Sequence, residues 1–227
     1  MSVLDFHAHI LPGADHGSHS LKTSLVQLDV AKKHGIDRIV ATPHFYPHRH
    51  NIDKFVERRA EALRLLKEHL NDKHPEIAVG AEVMLCIGLQ NFLRLDELTL
   101  GGSKTLLVEL PPNDFSDEYV STVVVLKEMG YNVILAHAER YPQEYVEKFI
   151  SENVMLQVNA VSIFNIATRH KTLDWIRSGC VACFGSDIHG TDKTGARAMA
   201  KIKRRLGALY DVIDKRSKAL WSEFKTL

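Results

Sequence analysis

Short apolar segments alternate with longer amphipathic segments along the chain. Seven segments rich in Val, Ile and Leu predict β-strands at Val3–His7, Arg38–Thr42, Ile77–Glu82, Thr105–Leu110, Asn132–His137, Val154–Val158 and Cys180–Gly185. Between them, apolar residues recur three and four positions apart, which is the spacing of one helix face. This spacing predicts helices at Leu21–His34, Asp53–Leu70, Asp117–Met129, Gln143–Glu152, Leu173–Ser178, Thr194–Leu206 and Ala208–Phe224. Strands that are apolar on both faces and alternate with helices indicate a parallel sheet covered by helices.

The polar residues that follow the predicted strands decide between an open sheet and a closed barrel. Six of these strands lead into residues that can bind metal, namely His7 and His9, His44, Glu82, Glu109, His137 and Asp187. In an open sheet, strands far from the point where the strand order reverses could not all contribute to one site. In a closed barrel, every carboxyl end faces the same mouth. We therefore predict the α/β class, with seven parallel strands in a TIM-like (β/α)7 barrel.

The first predicted strand contains the sequence Asp5-Phe6-His7-Ala8-His9. Residues two positions apart lie on the same face of a strand, so the two imidazoles could bind one metal ion. Asp5 lies on that face too, and we expect it to orient one of the imidazoles. The alternative for this motif alone is a buried strand whose histidines are satisfied by hydrogen bonds.

The complete set of polar residues favours a metal centre. One carboxylate after a strand is usually a loop residue, but six successive coincidences are poorly explained by solvated loops. Imidazoles mixed with carboxylates suit Zn, Mn or Fe rather than Ca. The ligands suffice for two or three ions, and Glu82 is well placed to bridge two of them.

Composition narrows the classes of function. The 227 residues include 29 Lys and Arg against 28 Asp and Glu, which argues against a general affinity for nucleic acid or anionic lipid. No apolar run approaches the length of a membrane span, and the first five residues do not resemble the start of a signal peptide. Three cysteines cannot form a disulfide framework. We expect one domain over residues 1–227 and a reducing, cytoplasmic location.

The motifs, taken in order, resemble a known superfamily. The order Asp-x-His-x-His, Pro-His, Glu, Glu, His and Ser-Asp-x-His, from Asp5 to His189, resembles the PHP (polymerase and histidinol phosphatase) metallohydrolases. Longer segments are similar to the bacterial manganese-dependent protein tyrosine phosphatases of capsule and exopolysaccharide loci. They are His9–Gly13, Ala41–His44, Gly80–Glu82, His137–Tyr141 and Ser186–His189. This resemblance implies a distorted (β/α)7 barrel, the PHP fold, with three metal ions.

The resemblance also implies a role for each matching residue. It assigns the first ion to His7, His9, Glu82 and Asp187, the second to Glu82, Glu109 and His137, and the third to His44, His189 and a loop residue. His16 stands in Asp15-His16-Gly17 where these phosphatases usually carry Asp-Asp-Gly, so His16, or else Asp15, is the expected loop ligand. Arg140 matches the phosphate-binding arginine, in a loop where Ala138 replaces the usual proline. The implied catalytic residues are Arg140, Asp187 and His44.

The activity implied by the resemblance is metal-dependent hydrolysis of phosphomonoesters, with Mn as the expected ion and Fe or Zn as alternatives. The expected substrate is phosphotyrosine on the tail of a bacterial tyrosine kinase of polysaccharide export, bound by a monomer or small homo-oligomer. The alternatives are a small-molecule phosphatase, such as a histidinol-phosphate phosphatase, or a non-catalytic PHP binding module. Tyr46 and Arg49 follow His44 and belong either to a surface loop or to a substrate-binding rim.

Overall fold

The computed structural model describes residues 3–227, in which parallel strands alternate with helices. The strands of this part of the chain are β1 (Val3–Ala8), β2 (Ile36–Ala41), β3 (His44–Phe45), β4 (Glu76–Val79), β5 (Glu82–Met84), β6 (Thr105–Glu109), β7 (Asn132–Leu135), β8 (Met155–Asn159) and β9 (Val181–Gly185). Its helices are α1 (Leu21–Lys33), α2 (Ile52–Lys67), α3 (Asp117–Glu128), α4 (Gln143–Ser151), α5 (Arg169–Arg177), α6 (Thr194–Leu206) and α7 (Ala208–Trp221). None of the helices in residues 3–227 has the length and apolar character needed to cross a membrane.

The strands form two parallel sheets, with the orders β1-β2-β4 and β3-β5-β6-β7-β8-β9. β3 continues the path of β2, and β5 continues that of β4, so the nine strands occupy seven positions. Beyond the end of β9, the Asp187 N–H donates to the His7 carbonyl at 2.8 Å and the His9 N–H donates to the Ile188 carbonyl at 3.2 Å. These bonds join the last position to the first, and the predicted seven-stranded barrel is confirmed.

The prediction of one continuous strand over Ile77–Glu82 is wrong, because the strand breaks at Gly80-Ala81. A Cβ atom on Gly80 would lie 2.6 Å from the Leu100 side chain and 2.9 Å from its Cα, so only glycine fits. The neighbouring strand breaks at Thr42-Pro43, where proline cannot donate a ladder hydrogen bond. After both breaks, His44 pairs in register with Glu82. The distortion therefore places an imidazole beside a carboxylate.

The helices agree with the predicted ones except at α5. That helix begins at Arg169, four residues before the predicted start at Leu173. It begins with Arg169, His170 and Lys171, which are polar and at least partly exposed, and its start therefore lacks the apolar periodicity by which a helix is detected. Helix α1 begins as expected for a capped helix, since the Ser20 side chain accepts the Thr23 N–H at 3.2 Å.

A small apolar cluster fills the barrel interior away from the mouth. It draws side chains from six strands and from the C-terminal segment: Leu4, Phe6, Val40, Ala78, Leu107, Ile134, Ala182, Cys183, Trp221 and Phe224. Phe6 packs edge-on against Trp221 and Phe224, with ring centroids 6.5 and 5.8 Å apart. A larger cluster lies between the strands and the surrounding helices. The polar centre described next thus stands on a packed apolar base.

Candidate metal centre

Glu82 lies at the middle of the polar cluster at the barrel mouth. Its side chain is fully buried, and its Oε1 atom lies 2.6 Å from His137 Nε2. Its Oε2 atom lies 2.9 Å from His44 Nδ1, 3.1 Å from His7 Nε2 and 3.3 Å from His9 Nε2. Four of the histidines singled out in the sequence therefore meet around one carboxylate.

Three overlapping groups of side chains could each hold a metal ion, with their ligand atoms within 4.8 Å of one another. The groups are His7, His9 and Glu82; His44, Glu82 and Glu109; and His9, His44 and His189. His44 belongs to two groups, because its Nδ1 atom also lies 3.2 Å from Glu109 Oε1. Sequence resemblance had placed His44 with the third ion alone, whereas the geometry also brings it close to Glu82 and Glu109, which were assigned to the second.

The polar atoms of this cluster fit a bound cation. Three imidazole nitrogens lie within 3.3 Å of the buried Glu82 Oε2 atom, but none is aligned to form a hydrogen bond with it, although buried polar atoms are ordinarily satisfied. Burial alone would raise the pKa of Glu82, but the charge on His7 and the contact with His137 outweigh it and hold that pKa well below its usual value. The Nε2 atoms of His7 and His9 face each other at 3.1 Å. A divalent ion among these atoms would coordinate the unpaired oxygen and both imidazoles.

Asp187 closes the cluster on the side of β9. Its Oδ1 atom lies 3.5 Å from His9 Nε2 and 3.7 Å from His7 Nε2. Its Oδ2 atom accepts the Asn159 amide N–H at 3.0 Å and forms an ion pair with the Arg140 guanidinium. Burial opposes ionisation of Asp187, yet the charges on His7, His9 and Arg140 lower its pKa to about 2. Arg140 is half exposed and thus reaches from the buried cluster to solvent.

Asp15, and not Asp5, orients an imidazole of the cluster. Asp15 Oδ2 lies 2.7 Å from His9 Nδ1 and accepts the His44 N–H at 2.9 Å. The expectation that Asp5 would orient a histidine is wrong: its Oδ1 atom accepts the backbone N–H groups of His7 and Ser186, at 3.2 and 2.8 Å. A register irregularity between Asp5 and Ala8 changes the regular alternation of side chains along β1.

His16 and Tyr46 lie above the cluster, at the barrel mouth. The exposed His16 ring stacks on the ring of His44 with centroids 4.8 Å apart, and it lies 4.9 Å from the ring of His189. Tyr46 stacks against His44 at 5.1 Å, and the Arg49 guanidinium lies 5.8 Å from the centre of the Tyr46 ring. A groove of about 510 Å³ begins at Tyr46 and Arg49 and continues along Met84–Ile87, Pro111, Pro112 and Tyr119.

Three site residues carried no role in the sequence-based prediction. The Tyr141 hydroxyl accepts the Leu110 N–H at 3.0 Å and lies 3.1 Å from His137 Nδ1. Gln157 and Asn159, on β8, are buried beside the cluster. Tyr141 was visible only as the last residue of the His137–Tyr141 motif. The signal available for Gln157 was a polar residue inside an otherwise apolar strand.

A parallel barrel with clustered imidazoles and carboxylates at its mouth defines the class as a metal-binding barrel. The chain belongs to the CpsB/CapC family of capsular polysaccharide synthesis, whose model matches residues 3–214. It is 26% identical to CapC of Staphylococcus aureus over 224 residues, covering 93% of this chain and 87% of CapC. It is 31% identical to the tyrosine-protein phosphatase YwqE of Bacillus subtilis over 146 residues, which are 61% of this chain and 55% of YwqE. For the tyrosine-protein phosphatase CpsB of Streptococcus agalactiae, identity is 23% over 205 residues, covering 84% of each chain.

Solved structures agree on the fold. The crystal structures of YwqE from Bacillus subtilis and CpsB from Streptococcus pneumoniae, described as metal-dependent tyrosine phosphatases, include a chain that superposes with a TM-score of 0.82. That match has 19% identity and covers 97% of this chain and 95% of the other. A TatD-like protein from Archaeoglobus fulgidus superposes with a TM-score of 0.53 at 18% identity, covering 90% and 92% of the two chains.

Proposed function

We propose that this protein is a metal-dependent protein tyrosine phosphatase. The observation that carries the proposal is the buried, unpaired oxygen of Glu82 among three imidazoles, with the half-exposed Arg140 at the edge of the same cluster. Membership of the CpsB/CapC family supports it, as do relatives named tyrosine-protein phosphatases. Together they point to a site that binds cations on its inner side and a phosphate group on its outer side.

The proposed ligand sets follow the family resemblance and overlap with the three geometric groups. His7, His9, Glu82 and Asp187 would hold one ion; Glu82, Glu109 and His137 a second; and His44, His189 and His16 a third. Divalent ions bound there would acidify water and offset charge on the phosphoryl oxygens. Imidazole nitrogens combined with carboxylate oxygens suit Mn, Fe or Zn, and we favour Mn because the motifs resemble those of manganese-dependent phosphatases.

Arg140, Asp187 and His44 are the proposed catalytic residues. The Arg140 guanidinium is planar and carries several N–H donors, and those turned towards solvent would bind the equatorial oxygens of the phosphoryl group. Asp187 remains ionised, given its pKa of about 2, and its ion pair holds Arg140 against the cluster. His44 contacts Glu82 within the cluster and stacks against Tyr46 at the start of the groove, so it links the ligands to the proposed substrate-binding region.

A phosphotyrosine substrate suits both the chemistry and the groove. The conjugate acid of a phenolate leaving group has a pKa near ~10, so phenolate departs with less help from a general acid than an alkoxide does. The groove beside Tyr46 and Arg49 would accommodate the peptide that carries the tyrosine. The proposed partner is the phosphotyrosine-bearing tail of a bacterial tyrosine kinase. We place the encounter in the cytoplasm, where Cys86, Cys180 and Cys183 would remain thiols.

The experiment that tests this function combines metal analysis with phosphate release. The protein is stripped with a strong chelator and reloaded separately with Mn²⁺, Fe²⁺ or Zn²⁺, and its bound metal is measured. Each form is then given a phosphotyrosine peptide, a phosphoserine peptide of the same sequence, and histidinol phosphate. We expect no turnover without metal, and faster turnover of phosphotyrosine than of the other two substrates.

The alternatives predict different results in this experiment. A preference for histidinol phosphate would identify a small-molecule phosphatase with the same metal centre. Bound metal without turnover of any substrate would indicate a non-catalytic binding module. Activity that persists without metal would contradict the metal-dependent mechanism.

A further inference from the structure

Strand β8 contributes two polar side chains to the centre but none of the proposed metal ligands. Gln157 is fully buried and Asn159 is 3% exposed. They lie on a strand whose other residues are Met155, Leu156 and Val158. An uncharged amide pair in such a strand needs hydrogen-bond partners, since an unsatisfied buried amide is unfavourable. All partners of the two side chains are found in the metal centre or in each other.

One backbone group fixes the orientation of the Gln157 amide. The His137 N–H lies 2.8 Å from the Gln157 side-chain oxygen, and a backbone N–H can only donate. The same oxygen lies 3.0 Å from His7 Nδ1. Because that oxygen can only accept, Nδ1 of His7 must carry a proton. The lone pair of neutral His7 is then on Nε2, which faces Glu82, His9 and Asp187.

The orientation of the Gln157 amide also fixes that of the Asn159 amide, which contacts Asp187. The Gln157 amide nitrogen donates to the Asn159 side-chain oxygen at 2.9 Å. Asn159 must therefore direct its own amide nitrogen at Asp187 Oδ2, to which it donates at 3.0 Å. Four hydrogen bonds thus form one directed chain that links His137, His7 and Asp187 through two amides.

Gly185 leaves the space that this chain of hydrogen bonds needs. A Cβ atom on Gly185, in β9, would lie 2.6 Å from His7 Cβ and 2.7 Å from the Gln157 amide nitrogen. Both of these atoms are buried within the barrel and have little space in which to move. Glycine at this position therefore allows His7 and Gln157 to meet.

We propose that Gln157 and Asn159 are positioning residues, which hold His7 in its Nδ1–H tautomer and orient Asp187 for metal binding. This inference rests on the metal centre of the proposed function, and not on which phosphate ester is hydrolysed. Neither amide touches substrate or metal; each acts through a ligand residue. Partners that orient metal ligands in this way typically alter metal affinity by about 10- to 100-fold when they are replaced.

Metal affinity is the first test, measured on the full chain by titration of Zn²⁺ against a competing chelator. Gln157→Met removes the amide oxygen and the amide nitrogen but keeps a side chain of similar length. We expect Zn²⁺ to bind about 10- to 100-fold more weakly. Asn159→Leu removes the hydrogen bonds with Asp187 and with the Gln157 amide nitrogen but leaves the contact between Gln157 and His7, and we expect a smaller loss. The matched control is Thr172→Val, which removes a buried hydroxyl bonded to the Thr168 carbonyl at 2.9 Å in α5, outside the metal centre. It should leave Zn²⁺ affinity unchanged.

The His7 tautomer is the second test, read by ¹⁵N–¹H NMR of the Zn²⁺-loaded protein with labelled histidine. We expect a slowly exchanging Nδ1–H signal of His7 in the wild type and in Asn159→Leu, and its loss in Gln157→Met. If Gln157→Met does not fold, Gln157→Glu replaces it. That variant retains the oxygen that accepts from His7 but removes the donor to Asn159, so it should keep the signal and still bind Zn²⁺ with altered affinity.

The outcomes separate this inference from the function on which it rests. A wild-type protein that binds no Zn²⁺ would contradict the metal centre itself. A wild type that binds Zn²⁺, with affinity and tautomer unchanged in Gln157→Met, or with affinity unchanged in Gln157→Glu where that variant replaces it, would overturn the positioning role and leave the metal centre intact.

Discussion

The inner and outer parts of the metal centre differ in how exposed their side chains are. The inner part consists of His7, Glu82 and His137, whose side chains are at most 3% exposed. The outer part consists of His16, His189 and Arg140, and here the side chains of His189 and Arg140 are 32% and 54% exposed. The inner side chains are shielded from solvent and contact one another. Exposure leaves the outer part open to a substrate.

The two parts also differ in charge balance. Burial disfavours the charged form of both His7 and His189. Around His7, the negative charges of Glu82 and Asp187 outweigh burial and raise the pKa to about 10. Around His189, burial together with the positive charge on His9 lowers the pKa to about 4. The carboxylates of Glu82 and Asp187 therefore attract cations to the inner part. In the outer part, the neutral imidazole of His189 keeps a lone pair that can bind a metal ion.

Removing the shared carboxylate should have the largest effect. Glu82→Gln takes away the negative charge common to two of the three ligand groups. We expect loss of bound metal and a fall in kcat/KM of at least ~1000-fold, the scale of several kcal/mol of metal-supplied stabilisation. Metal analysis and phosphate release would measure both. Glu76→Gln, at an exposed residue paired with Arg38 at 3.2 Å, is the matched control and should retain metal and activity.

Arg140→Ala should give the next largest effect and should separate the two parts. The change removes a donor to the phosphoryl group but no metal ligand. We expect kcat/KM to fall about 100-fold, the scale for one charge-stabilising donor, while metal content stays constant. The exposed Arg177, paired with Asp174 at 3.1 Å, supplies the control Arg177→Ala. Loss of metal in Arg140→Ala would show that the outer part supports the inner one.

His16 tests whether the outer part holds an ion of its own. His16→Ala should remove one ion per chain and lower turnover about 10-fold, as expected for a weaker exposed site. His16→Asp should keep activity and shift the preference towards harder ions such as Mn²⁺. Unchanged stoichiometry and rate in His16→Ala would leave Asp15, already bonded to His9, as the loop residue that matters.

The smallest effect should come from the cysteines. Cysteine-dependent phosphatases need a thiolate and an arginine six residues later, but Phe92, Ser186 and His189 stand at that distance from the three cysteines. We expect a variant with Cys86→Ser, Cys180→Ser and Cys183→Ala to retain kcat within about twofold, since catalysis is assigned to metal. Inactivation of the wild type by thiol alkylation, together with resistance to chelation, would refute this assignment.

The local pattern of apolar and polar residues predicted the fold but not how the side chains of the site are arranged. Strand periodicity and the polar residues after each strand predicted the seven-position barrel, because burial on both faces leaves a clear apolar signal. The break at Gly80 was not predicted, since it depends on contact with the distant residue Leu100, and neither was the short strand His44–Phe45 after Pro43. Without these features, the pairing of His44 with Glu82 could not be foreseen.

The partners of the ligands were predicted less well than the ligands themselves. The sequence placed Asp5 on the histidine face, but Asp5 bonds to backbone N–H groups and Asp15 contacts the His9 imidazole. Gln157 lies 150 residues from His7 along the chain, so nothing local in the sequence links them. Orientation by distant hydrogen bonds is a property of the folded chain.

The C-terminal segment packs at the end of the barrel away from the mouth. Phe224 contacts Phe6, the Lys225 N–H donates to the Gly101 carbonyl at 2.9 Å, and the Leu227 N–H donates to the Ile77 carbonyl at 3.0 Å. The C-terminal segment and the metal centre therefore lie at opposite ends of the barrel. Loops such as the one carrying Tyr46 can accumulate substitutions over evolution without loosening that anchor, so related proteins can diverge in the peptides they recognise while inheriting the same scaffold.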